Sequence, residues 1–258
     1  RMVKAKKHLG QHFLTDENIA EKIVKALSGK GFTYVLEVGP GMGVLTKYLL
    51  EKPEHLLLAE IDEESISYLK DTYSTLSDAH FKGDFLKMDF SFWGDEQVAV
   101  IGNFPYNISS QILFQIIEHY RQIPEMVGMF QKEVAERVAA QPRTKDYGIV
   151  SVMVQAYYDV KYLFTVHENV FNPPPKVKSG VIRLKRKEDY SLPCDEKTFF
   201  SVVKTAFGQR RKTLRNSLKS FLLEREALKA EPLFDKRPEM LSVAKFITLT
   251  QWLSAPLS

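Results

Sequence analysis

The strongest constraint on what this chain can fold into is an alternation. Between residues 34 and 184, short apolar runs rich in β-branched side chains take turns with segments of helical periodicity. The strand candidates are 34–38, 56–61, 79–82, 98–102, 126–131, 157–165 and 179–184, and 45–52, 63–73, 110–119 and 132–140 read as helices among them. Runs that are apolar throughout are buried on both faces, as in a mainly parallel sheet covered by helices. An earlier helix is predicted over 17–27: Thr15 or Asp16 caps it, Ile19, Ile23 and Leu27 make one stripe, and Gly29 follows its end. The last two strand candidates are joined by a loop without a helix, so they are expected to pair antiparallel.

The pattern changes after Lys187. A polar stretch over 189–196, with Pro193 in it, leads into purely helical sequence at 198–207, 214–226, a short segment near 232–234, and 243–253. Two domains are therefore predicted, an α/β unit over 1–187 and a small all-α appendage over 191–258.

Composition excludes several classes. With 44% hydrophobic and 26% charged residues the chain is an ordinary folding sequence, neither disordered nor a coiled-coil rod. Cys194 stands alone, which rules out an internal disulfide framework and a multi-thiolate metal centre, and the six histidines have no ligand spacing. The longest uncharged run, 97–117, contains Asn103, Pro105, Asn107, Ser109, Ser110, Gln111 and Gln115, too many polar residues for a membrane span. No signal-peptide pattern follows the basic start, so a cytoplasmic protein is expected; a monomer without metal or membrane attachment is expected as well.

Net charge is only +4, but the cations are clustered. Arg1, Lys4, Lys6 and Lys7 precede the first acid. Six basic residues and no acid occupy 176–187, and six more with no acid occupy 204–219. Solvated helix faces normally interleave both signs; blocks of one sign point to a polyanion such as nucleic acid.

The first predicted strand runs into Glu37-Val38-Gly39-Pro40-Gly41-Met42-Gly43. Glycines there allow a tight turn and close backbone approach to a ligand, with helix N–H groups beyond, although the loop alone is equally consistent with a plain strand-to-helix turn. Three features at the ends of later strands strengthen a nucleoside site. Glu60 can accept both hydroxyls of a ribose, Asp84 can take an adenine amino proton with Phe85 beside it, and Asn103-Phe104-Pro105-Tyr106 follows the fourth strand. An exocyclic adenine amine is a poor nucleophile because its lone pair is delocalised into the ring. The Asn103 side-chain oxygen and the Phe104 carbonyl could accept its two protons, with Pro105 fixing the turn and Tyr106 stacking on an extruded base.

These residues resemble those of the KsgA-type rRNA adenine dimethyltransferases. The matching segments occur in family order: Gly10-Gln11-His12-Phe13-Leu14, the Glu37 to Gly43 loop, Asn103 to Ser109, Gln131-Lys132-Glu133, Phe171 to Val177, and Gln209 to Asn216. The resemblance implies a Rossmann-like class I methyltransferase fold with a seven-stranded, mostly parallel sheet, and a small helical carboxyl-terminal domain. It implies S-adenosylmethionine as cofactor, with contacts at His12, Leu14, Gly39, Gly41, Glu60, Ile61, Asp84, Phe85 and Asn103, and small-subunit rRNA in an immature 30S particle as partner. The activity it implies is dimethylation at N6 of two adjacent adenosines near the 3′ end of that RNA. Lys176, Lys178, Arg210, Arg211, Lys212 and Arg215 are the expected phosphate contacts. The sequence departs from the family pattern at His12, often Asn, and at Phe104, usually Leu or Ile, where a larger side chain bears on pocket volume. Two other readings share many of these features: a resistance-type methylase of large-subunit (23S) rRNA, and a non-catalytic rRNA-binding assembly factor.

Overall fold

The computed structural model describes residues 2–257, so Arg1 of the amino-terminal cluster lies outside the described residues. In chain order the strands are β1 (Phe13–Leu14), β2 (Tyr34–Val38), β3 (His55–Ala59), β4 (Val98–Asn103), β5 (Glu125–Gln131), β6 (Tyr158–Val166), β7 (Phe171–Asn172) and β8 (Ser179–Arg186). Six of them form one sheet in the order β3-β2-β4-β5-β8-β6. β2 pairs parallel with both β3 and β4, β4 pairs parallel with β5, and β8 runs antiparallel to β5 from Glu125↔Lys185 to Gln131↔Ser179. The central strands β2 and β4 are buried almost throughout, as their largely apolar sequences require. β1 and β7 make a separate antiparallel ribbon, Phe13↔Asn172, that fastens the amino-terminal segment down.

The count of seven strands is corrected to six. Residues 79–82 contribute a single parallel bridge, Leu58↔Phe81, with the Lys82 amide donating to the Leu58 carbonyl at 2.8 Å. A 3-10 turn at Asp78–His80 precedes the bridge and Gly83, at φ 77°, turns the chain after it, so no ladder can grow.

The helices of the sheet-bearing part are α1 (Glu17–Lys25), α2 (Thr46–Leu49), α3 (Glu63–Thr72), α4 (Ser109–Glu118) and α5 (Lys132–Ala139). α1 starts where Asp16 accepts the Ile19 amide at 3.0 Å, and it buries Ala20, Ile23 and Val24. Those residues join Leu36-flanking Val35, Leu58, Ile101 and Met129 in the core beneath the sheet.

Two compact units divide the chain differently from a cut at 187–191. One comprises residues up to Glu136 together with Asp159–Arg186; the other comprises Arg137–Tyr158 together with the chain from Lys187 onward. The second unit therefore takes in α6 (Ile149–Tyr157), a helix the periodicity hid. Its sequence is apolar on nearly every side and β-branched, and it is buried all round, so no polar face marks the 3.6-residue repeat. Within this unit α6 packs on α7 (Glu196–Gly208), which also packs on α10 (Val243–Ser254). The helix expected over 214–226 is broken into α8 (Leu214–Ser217), a 3-10 turn (Lys219–Leu222) and α9 (Glu226–Lys229). Leu214, Leu218 and Leu222 all reach the core, but Leu218 (φ −103°, ψ 22°) leaves helical geometry and Glu224 is left-handed at φ 62°.

Candidate active site

The carboxyl ends of β2, β3 and β4 open onto a cleft of about 250 Å³. Its floor is the glycine loop after β2. Gly39 and Gly41 have φ of 72° and 56°, and a methyl group on Gly41 would stand 2.9 Å from the Phe13 ring. Only glycine lets that backbone lie so close to the amino-terminal segment while remaining open to a ligand.

Glu60, just beyond β3, is 7% exposed and lines one wall with Ile61. Its Oε1 accepts the Gly41 amide at 3.2 Å, and its Oε2 accepts the amides of Ile61 and Asp62 at 3.0 and 3.1 Å. Burial pushes its carboxyl above the usual carboxylate value, partly offset by those three amides. Each carboxylate oxygen has two lone-pair directions, so the three amides fix the group and leave one direction, on Oε1, for a hydroxyl. Asp84 accepts the Leu86 amide at 2.9 Å and also lines the cleft. Phe85 is buried, its ring edge-on to Phe90 at 6.1 Å, so it meets the cleft as a wall; Ile61, 54% exposed, is the more open apolar surface.

Asn103 ends β4. Its Nδ2 donates to the His12 backbone carbonyl at 2.9 Å. A carbonyl can only accept, so this bond settles which end of the amide is nitrogen and leaves Oδ1 as the acceptor on the other side. Phe104 is 1% exposed and packs on Phe130 with ring centroids 5.0 Å apart. The larger side chain at 104 is therefore accommodated inside the sheet layer. The Tyr106 hydroxyl is hydrogen-bonded to Ser179 Oγ, and its ring stacks on His12 at 5.3 Å with planes 27° apart. His12 is itself held by Nδ1 donating to the Pro173 carbonyl at 2.8 Å. His12 and all four residues from Asn103 to Tyr106 line the cleft; Leu14 is buried and borders only a small pocket behind the glycine loop.

Several residues that build the site were missed. Asp62 accepts from Lys6 Nζ at 3.0 Å, Gln11 Nε2 at 3.1 Å and Ser65 Oγ at 2.9 Å, which lays the amino-terminal segment along the cleft. Burial pushes the Asp62 carboxyl up, but these hydrogen bonds and the Lys6 charge outweigh it and hold it below the ordinary value. Lys6 also meets Glu64 at 2.9 Å, so this cation of the basic start is an internal brace. Asn107 donates to the His8 carbonyl at 3.2 Å and sits where a side chain at Gly10 would be. Glu37 is 1% exposed and accepts from Thr46 Oγ1 at 2.5 Å, tying β2 to α2; burial raises its carboxyl to about 8. Its place in the glycine motif was the available signal.

The basic residues fall into two groups. Lys176 and Lys178 are exposed, the latter 3.6 Å from Glu168. Arg211 and Lys212 are also exposed. Arg210 and Arg215 are engaged inside their own unit. Arg210 donates to the carbonyls of Tyr147, Lys145 (3.1 Å) and Thr144 (3.3 Å), and Arg215 to those of Lys229 (2.6 and 2.9 Å) and Glu231 (3.2 Å) and to Asp235. No group of three or more potential metal ligands occurs among the described residues, and no described helix is long and apolar enough to cross a membrane.

Comparison with known proteins bears on the whole chain. Residues 2–254 match the family model of the ribosomal RNA adenine dimethylases. A relative from Flavobacterium johnsoniae, ribosomal RNA small subunit methyltransferase A, is 62% identical over 254 residues, spanning 98% of this chain and 97% of its own. The protein of the same name from Cytophaga hutchinsonii is 59% identical over 98% of both chains. A dimethyladenosine transferase from Plasmodium falciparum superposes with a TM-score of 0.78 at 26% identity, over 92% of this chain and 96% of that one. A glycine loop, two strand-end carboxylates and an oriented Asn103 are thus found on a chain that matches one family from end to end, and the protein belongs to the ribosomal RNA adenine dimethylases.

Proposed function

We propose that this chain is an S-adenosylmethionine-dependent methyltransferase that dimethylates N6 of adenine in small-subunit (16S) rRNA, at two adjacent adenosines near the 3′ end. The observation that carries the chemistry is the hydrogen bond from Asn103 Nδ2 to the His12 carbonyl, which leaves Oδ1 of this cleft-lining residue as the acceptor end of the amide. The donor set suits the cofactor. Two carboxylates line the cleft as acceptors for a ribose and an adenine amine, the glycine backbone leaves room beside it, and exposed Ile61 offers an apolar face.

When bound, S-adenosylmethionine supplies a methyl group on a positively charged sulfur, with a neutral thioether as leaving group. Glu60 Oε1 would hold a ribose hydroxyl of the cofactor and Asp84 would hold its adenine amine. Asn103 Oδ1 and the Phe104 carbonyl accept the two N–H bonds of the target amine. That turns its lone pair out of conjugation and toward the methyl carbon, so an acceptor is in place before the transfer begins. On accepting the methyl, the amine would shed its extra proton to water. Tyr106, with His12 backing one face of its ring, offers the opposite face to an extruded base. Lys176 and Lys178 on one unit, and Arg211 and Lys212 on the other, meet phosphates.

The test is incubation with methyl-labelled S-adenosylmethionine and ribosomal subunits that lack the modification. Label recovered as N6,N6-dimethyladenosine from small-subunit RNA is the expected result; label only in large-subunit RNA, or none, refutes the proposal.

A further inference from the structure

We infer that Gly128 is a positioning residue for the transfer, because it is the seat on which the Phe104 ring rests and so sets where the 104 carbonyl stands. This rests on the reading of that carbonyl as an acceptor for the target amine.

In the parallel ladder of β4 and β5, Gly102 lies opposite Gly128, which leaves a bare patch two residues wide on the sheet. Phe104, two positions beyond Gly102, folds its ring back over that patch. A methyl group on Gly128 would overlap Phe104 Cε2 outright and would stand 2.9 Å from Cδ2, and 2.8 Å from the sulfur of Met126. Neither glycine has a left-handed φ, so neither is there for its backbone conformation; at Gly128 the space itself is what glycine provides. The ring is walled by Phe130 and is 1% exposed, so it has no outlet to solvent. Its backbone is pinned by the 104 amide donating to the Met129 carbonyl at 3.2 Å. A ring lifted off Gly128 by about an ångström therefore has to carry the Asn103–Phe104 turn with it. Gly102 is unsuitable for the test, because a methyl group there would also meet the Val38 carbonyl oxygen. At Gly128 the three nearest atoms all belong to side chains, and Phe104→Leu removes the main contact.

The experiment is a cycle of Gly128→Ala, Phe104→Leu and the double variant. Steady-state methylation of small subunits, cofactor affinity by calorimetry and thermal melting are measured for each. Displacement of a reacting partner by about 1 Å lowers rates by up to about 100-fold, so Gly128→Ala should lose kcat by roughly 10- to 100-fold. Its cofactor affinity and KM for subunits should stay near those of the parent. The double variant should recover kcat to within about threefold. A folded Gly128→Ala with parental kcat, or a double variant no better than Gly128→Ala, overturns the inference. If Gly128→Ala does not fold, the comparison is the double variant against Phe104→Leu: higher kcat and melting temperature in the double support the seat, and equal or lower values overturn it. Absence of methyl transfer by the parent protein would instead refute the proposed function.

Discussion

Removing Arg211 and Lys212 should weaken RNA binding without harming the fold, whereas removing Arg210 or Arg215 should do the reverse. The structure separates these four cations although they lie within six positions of one another. Arg210 satisfies three backbone carbonyls and Arg215 two, and both also meet carboxylates. Truncating Arg210 to alanine takes the guanidinium donor from the carbonyls of Tyr147, Lys145 and Thr144, of which Thr144 keeps the Tyr147 amide. Arg210 is about a third exposed, so water relieves part of that loss and the expected destabilisation is about 1–2 kcal/mol. Arg211 and Lys212 are exposed, so Arg211→Ala/Lys212→Ala should melt like the parent. Each phosphate contact contributes about 0.7 to 0.9 to the slope of log affinity against log salt. Losing two should therefore flatten that slope by about 1.5. The assay is small-subunit binding at four or five salt concentrations, beside thermal melts and cofactor calorimetry. An unchanged slope in the double variant refutes the assignment and moves the phosphate contacts to Lys176 and Lys178. A fully stable Arg210→Ala refutes the bracing role.

Asn103→Ala should keep most of its cofactor affinity yet lose turnover by about two decades or more in a methylation assay, and turnover within a few-fold of the parent contradicts the acceptor role. Asn103→Asp should be no better, because a carboxylate would set an oxygen against the His12 carbonyl. Glu60→Ala should weaken cofactor binding by about 2 kcal/mol in calorimetry, the strong end for hydrogen bonds to a charged group. Glu37 should impose a pH dependence on stability. Its folded carboxyl is raised to about 8 from 4.5, so between those values the folded state holds a proton the unfolded chain has released. Stability from this group is fully present below pH 4.5 and falls as pH rises toward 8, at up to about 1.4 kcal/mol per pH unit. Denaturant melts of Glu37→Gln from pH 5 to 8 should show a flatter decline than the parent.

The alternation of apolar runs with helices was sufficient to recover the sheet, since β2, β4 and β5 bury both faces and carry polar residues only at or next to their ends. Residues 79–82 show the limit of that signal: four residues with two apolar members look like a strand, yet the turn at Asp78–His80 and Gly83 leave room for one bridge. α6 shows the opposite limit, because a helix buried on every side has no amphipathic period to read. In the site, residues at strand ends were legible because the α/β topology itself brings them together. Asp62, Lys6, Gln11 and Asn107 were not, since their roles come from a segment folding back across more than fifty positions of chain. The split among Arg210, Arg211, Lys212 and Arg215 was equally invisible: charge is written in the sequence, but the carbonyls that claim a guanidinium are set by tertiary packing.

The central claim is tested most directly by mapping methylated adenines in rRNA from cells that lack this protein, and from the same cells carrying either the parent or Asn103→Ala. The account predicts that two adjacent N6,N6-dimethyladenosines near the 3′ end of the small-subunit RNA are lost in its absence, restored by the parent, and not restored by Asn103→Ala. Retention of both in the deletion strain, or loss confined to large-subunit RNA, would contradict it.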